Sequence, residues 1–413
     1  MKKTLLLLLI ILGNTTLASN SLNTTRVIYY STVEFVETPL SEIRGSVPLL
    51  KDVAMKRNHY RFEYDELNRL KTISFFNGKE PRHPNHTANL FTLAHRMEFN
   101  YENKSEHITF FDVKDNPVEV LDNVFRFAYK LNELGYRSQL IFFNENNDQV
   151  ENGWNIFEYN WTYHSDGSII ETRINENGDE VAIRPGFEFY RLQLFFNIKG
   201  HIALMQQIDA DGKMIENESG AAQDNITTNA YGNFIKWEVL DKNHQLEKGN
   251  GPDVAIGIQT FNEFGYETGL EHRDEHNNLV YSAYGICISK TQFDAFGNIK
   301  ERRFYGTDTK PSNHKFAGYH SLKIQWDDTG NRRTGLTYYG LDGQPALHKS
   351  RGYHKVIYEY TTEGLLKRIL YLDTNLKPVN RIDNGVAEIV YNYDRKGNLE
   401  STERFNINHQ KID

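Results

Sequence analysis

Cysteine is almost absent. Cys287 stands alone in 413 residues, so no intrachain disulfide framework holds this chain, and its stability must come from packing. Basic residues are in deficit: 47 Lys and Arg face 55 Asp and Glu, a formal charge of −8. That balance argues against nucleic acid or an anionic membrane surface as partner. Long apolar runs are missing after the first residues, so no integral membrane segment is expected in the mature chain. No GxSxG, P-loop or dinucleotide fingerprint occurs, and no cofactor is expected. Aliphatic residues are sparse too. Hydrophobic content is 39%, yet aromatics reach 13%, with 24 Tyr and 25 Phe. That ratio suits many half-buried strands better than one globular core.

The start of the chain is different in kind. In MKKTLLLLLIILGNTTLASN, two lysines precede an apolar run from Leu5 to Leu12, and Thr16-Leu17-Ala18 offers small residues for cleavage. The run is too short to span a bilayer, so residues 1–18 read as a secretory signal peptide cleaved near Ala18. The mature protein is expected to be exported, to the periplasm or the outside. No cysteine follows the run, which argues against a lipid anchor.

The remainder repeats. In YNYDRKGNLESTERF, an aromatic precedes Asp394 and Gly397 follows four residues after the aromatic. The equivalent positions upstream are Gly364, Gly330, Gly297, Gly265, Gly232, Gly200, Gly167 and Gly135, then Asn103 and Asn68. Consecutive members lie 32 to 35 residues apart, a constancy over eleven units that marks a repeat architecture. Gly and Asn are the residues that accept positive φ most readily. The residue three before is Asp or Asn in nine units, placed to bond the turn backbone. These eleven positions are therefore predicted to be hairpin turns.

Flanking residues alternate as strands do. Counting back four, six and eight from the turn residue gives Tyr64, Phe62, Tyr60; then Tyr163, Trp161, Tyr159; and, late in the chain, Tyr360, Tyr358, Val356. Intervening positions such as Arg61, Glu63, Lys323 and Gln325 are polar, the pattern of a strand buried on one face. A second turn follows about nine residues later, as at Asp209–Gly212 and Asp373–Pro378. A third mark is a glycine about twelve before the first turn: Gly220, Gly285, Gly318, Gly352 and Gly385.

An aromatic, Asp or Asn, two residues, Gly, a strand, then Asp-x-x-Gly-x-Pro: this signature resembles the bacterial tandem β-hairpin repeats of the YD/RHS-like and MORN-like groups. FDAFGN, WDDTGN and YDRKGN carry the resemblance best, and it extends from Asn58 to Asp413. RHS proteins commonly carry a C-terminal toxin or processing domain. None follows the last unit here, so cargo delivery is not expected.

One hairpin cannot stand alone in water, and stacked neighbours extend the sheet and core. The expected fold is all-β: an elongated antiparallel β-hairpin array, as a twisted meander sheet or a solenoid. Residues 19–57 lack the turn signature and are expected to form an N-terminal cap region, with VPLLKDVAMK as its short helix. Residues 58–413 form the repeat domain.

Candidate chemistry is thin. His272-x-x-Glu275-His276 spells the inverted zinc-protease motif, which needs a helix. The repeat register puts it at a strand end, where histidines four apart are separated by about 13 Å. No metal is expected there, nor at the Asp-x-[Asp/Asn] turns Asp209-Asp211, Asp241-Asn243 and Asp373-Asn375, which lack the full calcium ligand set. RHPNH, Arg82–His86, reads as a solvated connector. The units turning on Gly232, Gly265 and Gly297 lose the inward pattern: Thr228, Ile226, Asp224; Phe261, Gln259, Gly257; Phe293, Thr291, Ser289. Departures from a local rule tend to fall at functional or strained sites. Trp237, Phe261, His272, Glu275 and His276 are therefore the candidate partner-binding residues.

The reading is a non-enzymatic binding scaffold for a protein or glycan. Two alternatives are a carbohydrate-active enzyme, which needs two carboxylates about 5–10 Å apart in a groove, and a structural envelope spacer with a uniform surface.

Overall fold

The computed structural model describes residues 26–84 and 90–412. The Met1–Ala18 leader, the first residues of the cap region through Thr25, Asn85 and His86 of RHPNH, and Asp413 lie outside the described residues. The chain is all-β, with 27 strands among the described residues and one helical turn, α1 (Lys51–Ala54). Of VPLLKDVAMK, expected as a short helix, only Lys51–Ala54 is helical; Val47–Leu49 belong instead to the strand Gly45–Leu49. Every pairing is between antiparallel neighbours. β1 (Arg26–Val33) carries β2 (Gly45–Leu49) on one side and β3 (Asn58–Tyr64) on the other. β3 pairs with β4 (Leu70–Asn77), and from there the sheet runs as a meander to the C-terminal strands Leu399–Phe405 and Lys411–Ile412. It is open and closes no barrel.

The first turns are built as their composition demands. In the last unit, the Gly397 amide donates to the Asp394 carbonyl, 3.0 Å, while the Asp394 amide reaches Asn398, 2.9 Å. Asp394 Oδ1 accepts from the amides of Lys396 and Asn398 at 2.8 and 2.7 Å, the side-chain mimicry of a turn that Asp and Asn supply. Gly397 takes φ +78°, and Asn68 takes +60°. The register then shifts by one residue between Asn392 and Tyr393, a bulge that recurs between Glu63 and Tyr64, Thr260 and Phe261, and Gln325 and Trp326. Bulges add right-handed twist and bend the bulged strand, so a bulge repeated unit after unit bends the whole sheet.

One turn departs from the expected register. Glu102 pairs directly with Ser105 without a bulge, and it is Lys104 rather than Asn103 that takes positive φ, +58°. A two-residue hairpin moves the left-handed position one residue on from where the repeat alignment puts it.

The bend brings distant units together. The Asn58 amide of the first unit donates to the Phe296 carbonyl of the eighth, 2.8 Å, and its side-chain amide bonds Asn298, 2.9 Å. Asn77 Nδ2 donates to the Thr329 carbonyl and Arg82 Nη1 to that of Gly330, each at 2.9 Å. The coil is thus held by strand ends resting on the first turns of later units.

Residues 34–44 do more than cover a sheet edge. Val36, Leu40 and Ile43 are buried in one cluster with Phe62, Phe127, Trp161 and Leu194 from the inward column. The chain between β1 and β2 therefore fills the concave side of the early units. It is anchored by polar side chains as well: Arg137 Nη1 donates to the carbonyls of Pro39, Leu40 and Ser41, and the Thr38 hydroxyl bonds Glu171. The filler does not extend to the late units. There the same column is only half-buried at Trp326, Tyr358 and Tyr391, and a separate cluster forms around Tyr319, Tyr338, Tyr353 and Tyr371.

Candidate functional site

Where the inward column loses its pattern, the coil contains a cavity of about 260 Å³. Its aromatic wall is Phe35, Phe187, Phe234, Trp237, Phe261 and Tyr266. Phe234 and Trp237 come from strand Phe234–Leu240, Phe261 from Ile256–Phe261, and Phe35 from the segment that fills the coil. Phe35 stacks on Phe234 with centroids 4.3 Å apart, and Phe234 meets Trp237 at 5.6 Å.

The cavity also holds four charged side chains: Glu37, Arg184, Asp224 and Glu267. Arg184 Nε donates to Glu37 Oε1 at 2.8 Å, and its guanidinium lies over the Phe187 ring. Asp224 sits on strand Gln223–Thr228 and is buried. Its two oxygens accept from Asn250 Nδ2 at 3.1 and 3.2 Å. Burial, reinforced by the charge of Glu37, pushes its carboxyl from the usual 3.8 up to about 7; Arg184 and the Asn250 bond act the other way. Glu267 accepts from Gln259 Nε2 at 3.2 Å. Burial raises its carboxyl too, against the pull of Arg302.

Two of the five residues singled out by sequence, Trp237 and Phe261, line this cavity. His272 is buried behind it, its ring edge-on to Trp237 at 6.0 Å and its Nδ1 2.8 Å from the Ile286 carbonyl oxygen. Burial holds the His272 ring below its ordinary pKa, which favours the neutral form. Glu275 and His276 are not at the cavity. They lie in the turn after strand Glu267–Arg273, where Asp274 Oδ1 accepts the His276 amide at 3.0 Å and the His276 side chain is 76% exposed. The strand-to-turn geometry thus separates the members of HRDEH. Among the described residues, no group of three His, Cys, Asp or Glu side chains is arranged to hold a metal ion. The Asp-x-[Asp/Asn] carboxylates bond the turn backbone: Asp241 Oδ1 accepts the amides of Asn243 and Gln245, both at 2.8 Å. Cys287 is buried, and burial pushes its thiol up to about 11, leaving it protonated and unreactive at neutral pH.

Glu37, Phe35 and Arg184 escaped the sequence reading. The first two lie in a segment outside the repeat, and Arg184 in a connector. Only the coiling of the sheet carries them to units six and seven. Asp224 was visible as a carboxylate in an otherwise apolar column.

No family model matches the chain, and no curated protein matches it. Among solved structures, it is similar to a chain of TcdB2-TccC3-TEV, 9% identical with a TM-score of 0.28, over 86% of this chain and 17% of that one. A chain of the Photorhabdus luminescens Tc holotoxin pore is 11% identical with a TM-score of 0.25, over 86% and 22%. A porin-like protein from Bacteroides uniformis is 11% identical with a TM-score of 0.22, over 75% and 93%. The chain spans 17% to 22% of the toxin-complex chains with which it aligns.

Proposed function

We propose that this β-repeat protein is an exported binding scaffold whose ligand is the end of a glycan, seated in the cavity of the middle units. One observation carries the reading. Where the repeat abandons its packed inward column, the space is lined by aromatic rings and hydrogen-bonding carboxylates rather than filled. Aromatic faces with a few convergent polar groups are the general composition of a small-ligand site. A spacer with a uniform surface has no need of such a cavity. Export is supported by the composition of Met1–Ala18. The resemblance to YD/RHS-like repeats supports a scaffold built from many similar units.

A second reading, glycoside hydrolysis, is favoured by one feature: the carboxyl groups of Asp224 and Glu37 line the same cavity, that of Asp224 raised by burial and that of Glu37 paired with Arg184. Two carboxyl groups facing one cavity are what such chemistry uses. The two readings part on turnover. Binding predicts capture of a glycan without cleavage, whereas hydrolysis predicts product from the same glycan.

The test is a glycan array probed with the chain from Ser19 onward and with Trp237→Ala. Retention of a defined glycan set by the parent chain, lost in a folded Trp237→Ala variant, is the expected result. Retention of nothing by the parent, or a set unaltered by Trp237→Ala, would overturn the proposal.

A further inference from the structure

The chemistry of the cavity narrows its ligand, and this step rests on the glycan reading above. We infer that the sugar carries a free amine: the cavity receives the ammonium group of an amino sugar.

The argument is one of charge. Three carboxylates and one guanidinium face the cavity. The guanidinium is committed, since Arg184 pairs with Glu37 and covers Phe187. The hydrogen-bond donors that reach Asp224 and Glu267 are neutral amides, from Asn250 and Gln259. A buried carboxylate without a cation of its own is costly to keep charged; Asp224 is in that position and rises above its ordinary range, as Glu267 does even against the pull of Arg302. A cation in the cavity would supply what Asp224 lacks.

The walls favour the same charge. The faces of Phe35, Phe234, Trp237 and Phe261 carry the negative quadrupole that attracts an ammonium ion, with Trp the strongest. Aromatic faces of this kind can also cover the apolar face of a pyranose. Volume sets the size, because about 260 Å³ falls below the roughly 300–1,000 Å³ typical of sites for drug-sized ligands. One ring fits; a chain of sugars would have its remaining units outside.

Asp224 is the discriminating residue. The groups around it are Glu37 from the coil-filling segment, Arg184 and Asn250 from connectors, and Met205 and Val239 opposite it on the flanking strands. Only Arg184 among these is cationic, and it is already paired.

The test is calorimetric titration of the chain from Ser19 near neutral pH, with D-glucosamine, N-acetyl-D-glucosamine, D-glucose and n-butylammonium as probes. Glucosamine is expected to bind about tenfold or more tightly than the two neutral sugars. Asp224→Asn and, independently, Glu267→Gln should each erode that preference while the thermal transition is retained. Equal affinity for all three sugars, unchanged in both variants, overturns the amine inference and leaves the glycan reading standing. Binding of n-butylammonium with no sugar bound overturns the amino-sugar assignment together with the glycan reading. Binding of none of the four probes also sinks both.

Discussion

Trp237 lies across Gly257. The two are register partners on adjacent strands, and a Cβ built on Gly257 would overlap the indole six-membered ring. On the far side, Gly257 pairs with His272, whose ring abuts the same indole. The missing side chain lets the indole lie down over the neighbouring strand instead of standing up into the cavity. The glycine that breaks the inward column is thus the residue that keeps the space open.

Gly257→Ala therefore acts on the cavity before it acts on the fold. The added methyl must displace the indole, an overpacking change expected to destabilise by about 1–3 kcal/mol. Trp237 should shift in emission, and glycan capture should fall. An unchanged melting temperature with unchanged emission would show that the indole does not rest on Gly257.

The turn chemistry can be isolated at Gly167. Its φ is +87°, and an added Cβ there meets open space, so a substitution tests the backbone alone. Gly167→Val is expected to destabilise by about 1–3 kcal/mol, and Gly167→Asn by much less, because Asn tolerates the left-handed region. Equal transitions for the two variants would contradict the positive-φ assignment.

The strands, both hairpin turns and the third glycine were legible because each rests on local rules: alternation, Asx capping and positive φ. Gly220, Gly285, Gly318, Gly352 and Gly385 all take positive φ, as a repeat of glycine at one register predicts. The coil was not legible. It arises from a bulge in nine of the eleven units, and a bulge leaves no fixed residue type. The role of residues 34–44 was hidden for the same reason. Val36, Leu40 and Ile43 show neither strand alternation nor the repeat, and their partners lie on distant units. The cavity was half legible: Gly257, Gln259 and Asp224 announced an irregular column, whereas Glu37 and Arg184 reach it only through long-range closure.

The coil-filling segment should be held by its buried polar anchor. Glu171 and Arg173 are an ion pair with both side chains fully buried. Glu171 also accepts the Thr38 hydroxyl and the Trp161 indole N–H, the latter at 2.8 Å. Arg173 Nη2 in turn donates to the Phe189 and Tyr190 carbonyls at 2.8 and 2.7 Å. Glu171→Ala strands a buried guanidinium and is expected to destabilise by about 3–5 kcal/mol. Thr38→Val removes one of the two donors to the charged Glu171 Oε2 and should lower stability by about 1–3 kcal/mol. Proteolysis within residues 34–44 should quicken in both. A Glu171→Ala protein as stable as the parent in urea would remove the anchor from the account.

The last prediction concerns pH. Asp224 is raised from 3.8 to about 7 by burial and by Glu37, so the folded chain keeps a proton that the unfolded chain releases near pH 4. Between those values the folded state binds more protons, and stability must fall as pH rises through the window. Above about pH 7 the whole penalty remains, on the order of 4 kcal/mol. Asp224→Asn removes the charge and keeps a side chain of the same shape. The variant is therefore expected to be more stable than the parent at pH 8, by less at pH 6, and by nothing from this source below about pH 4. Urea denaturation of both proteins across that range measures the difference directly. A gap between them that does not change with pH would mean that Asp224 titrates as an ordinary carboxyl, and the burial argument for the cavity would fail with it.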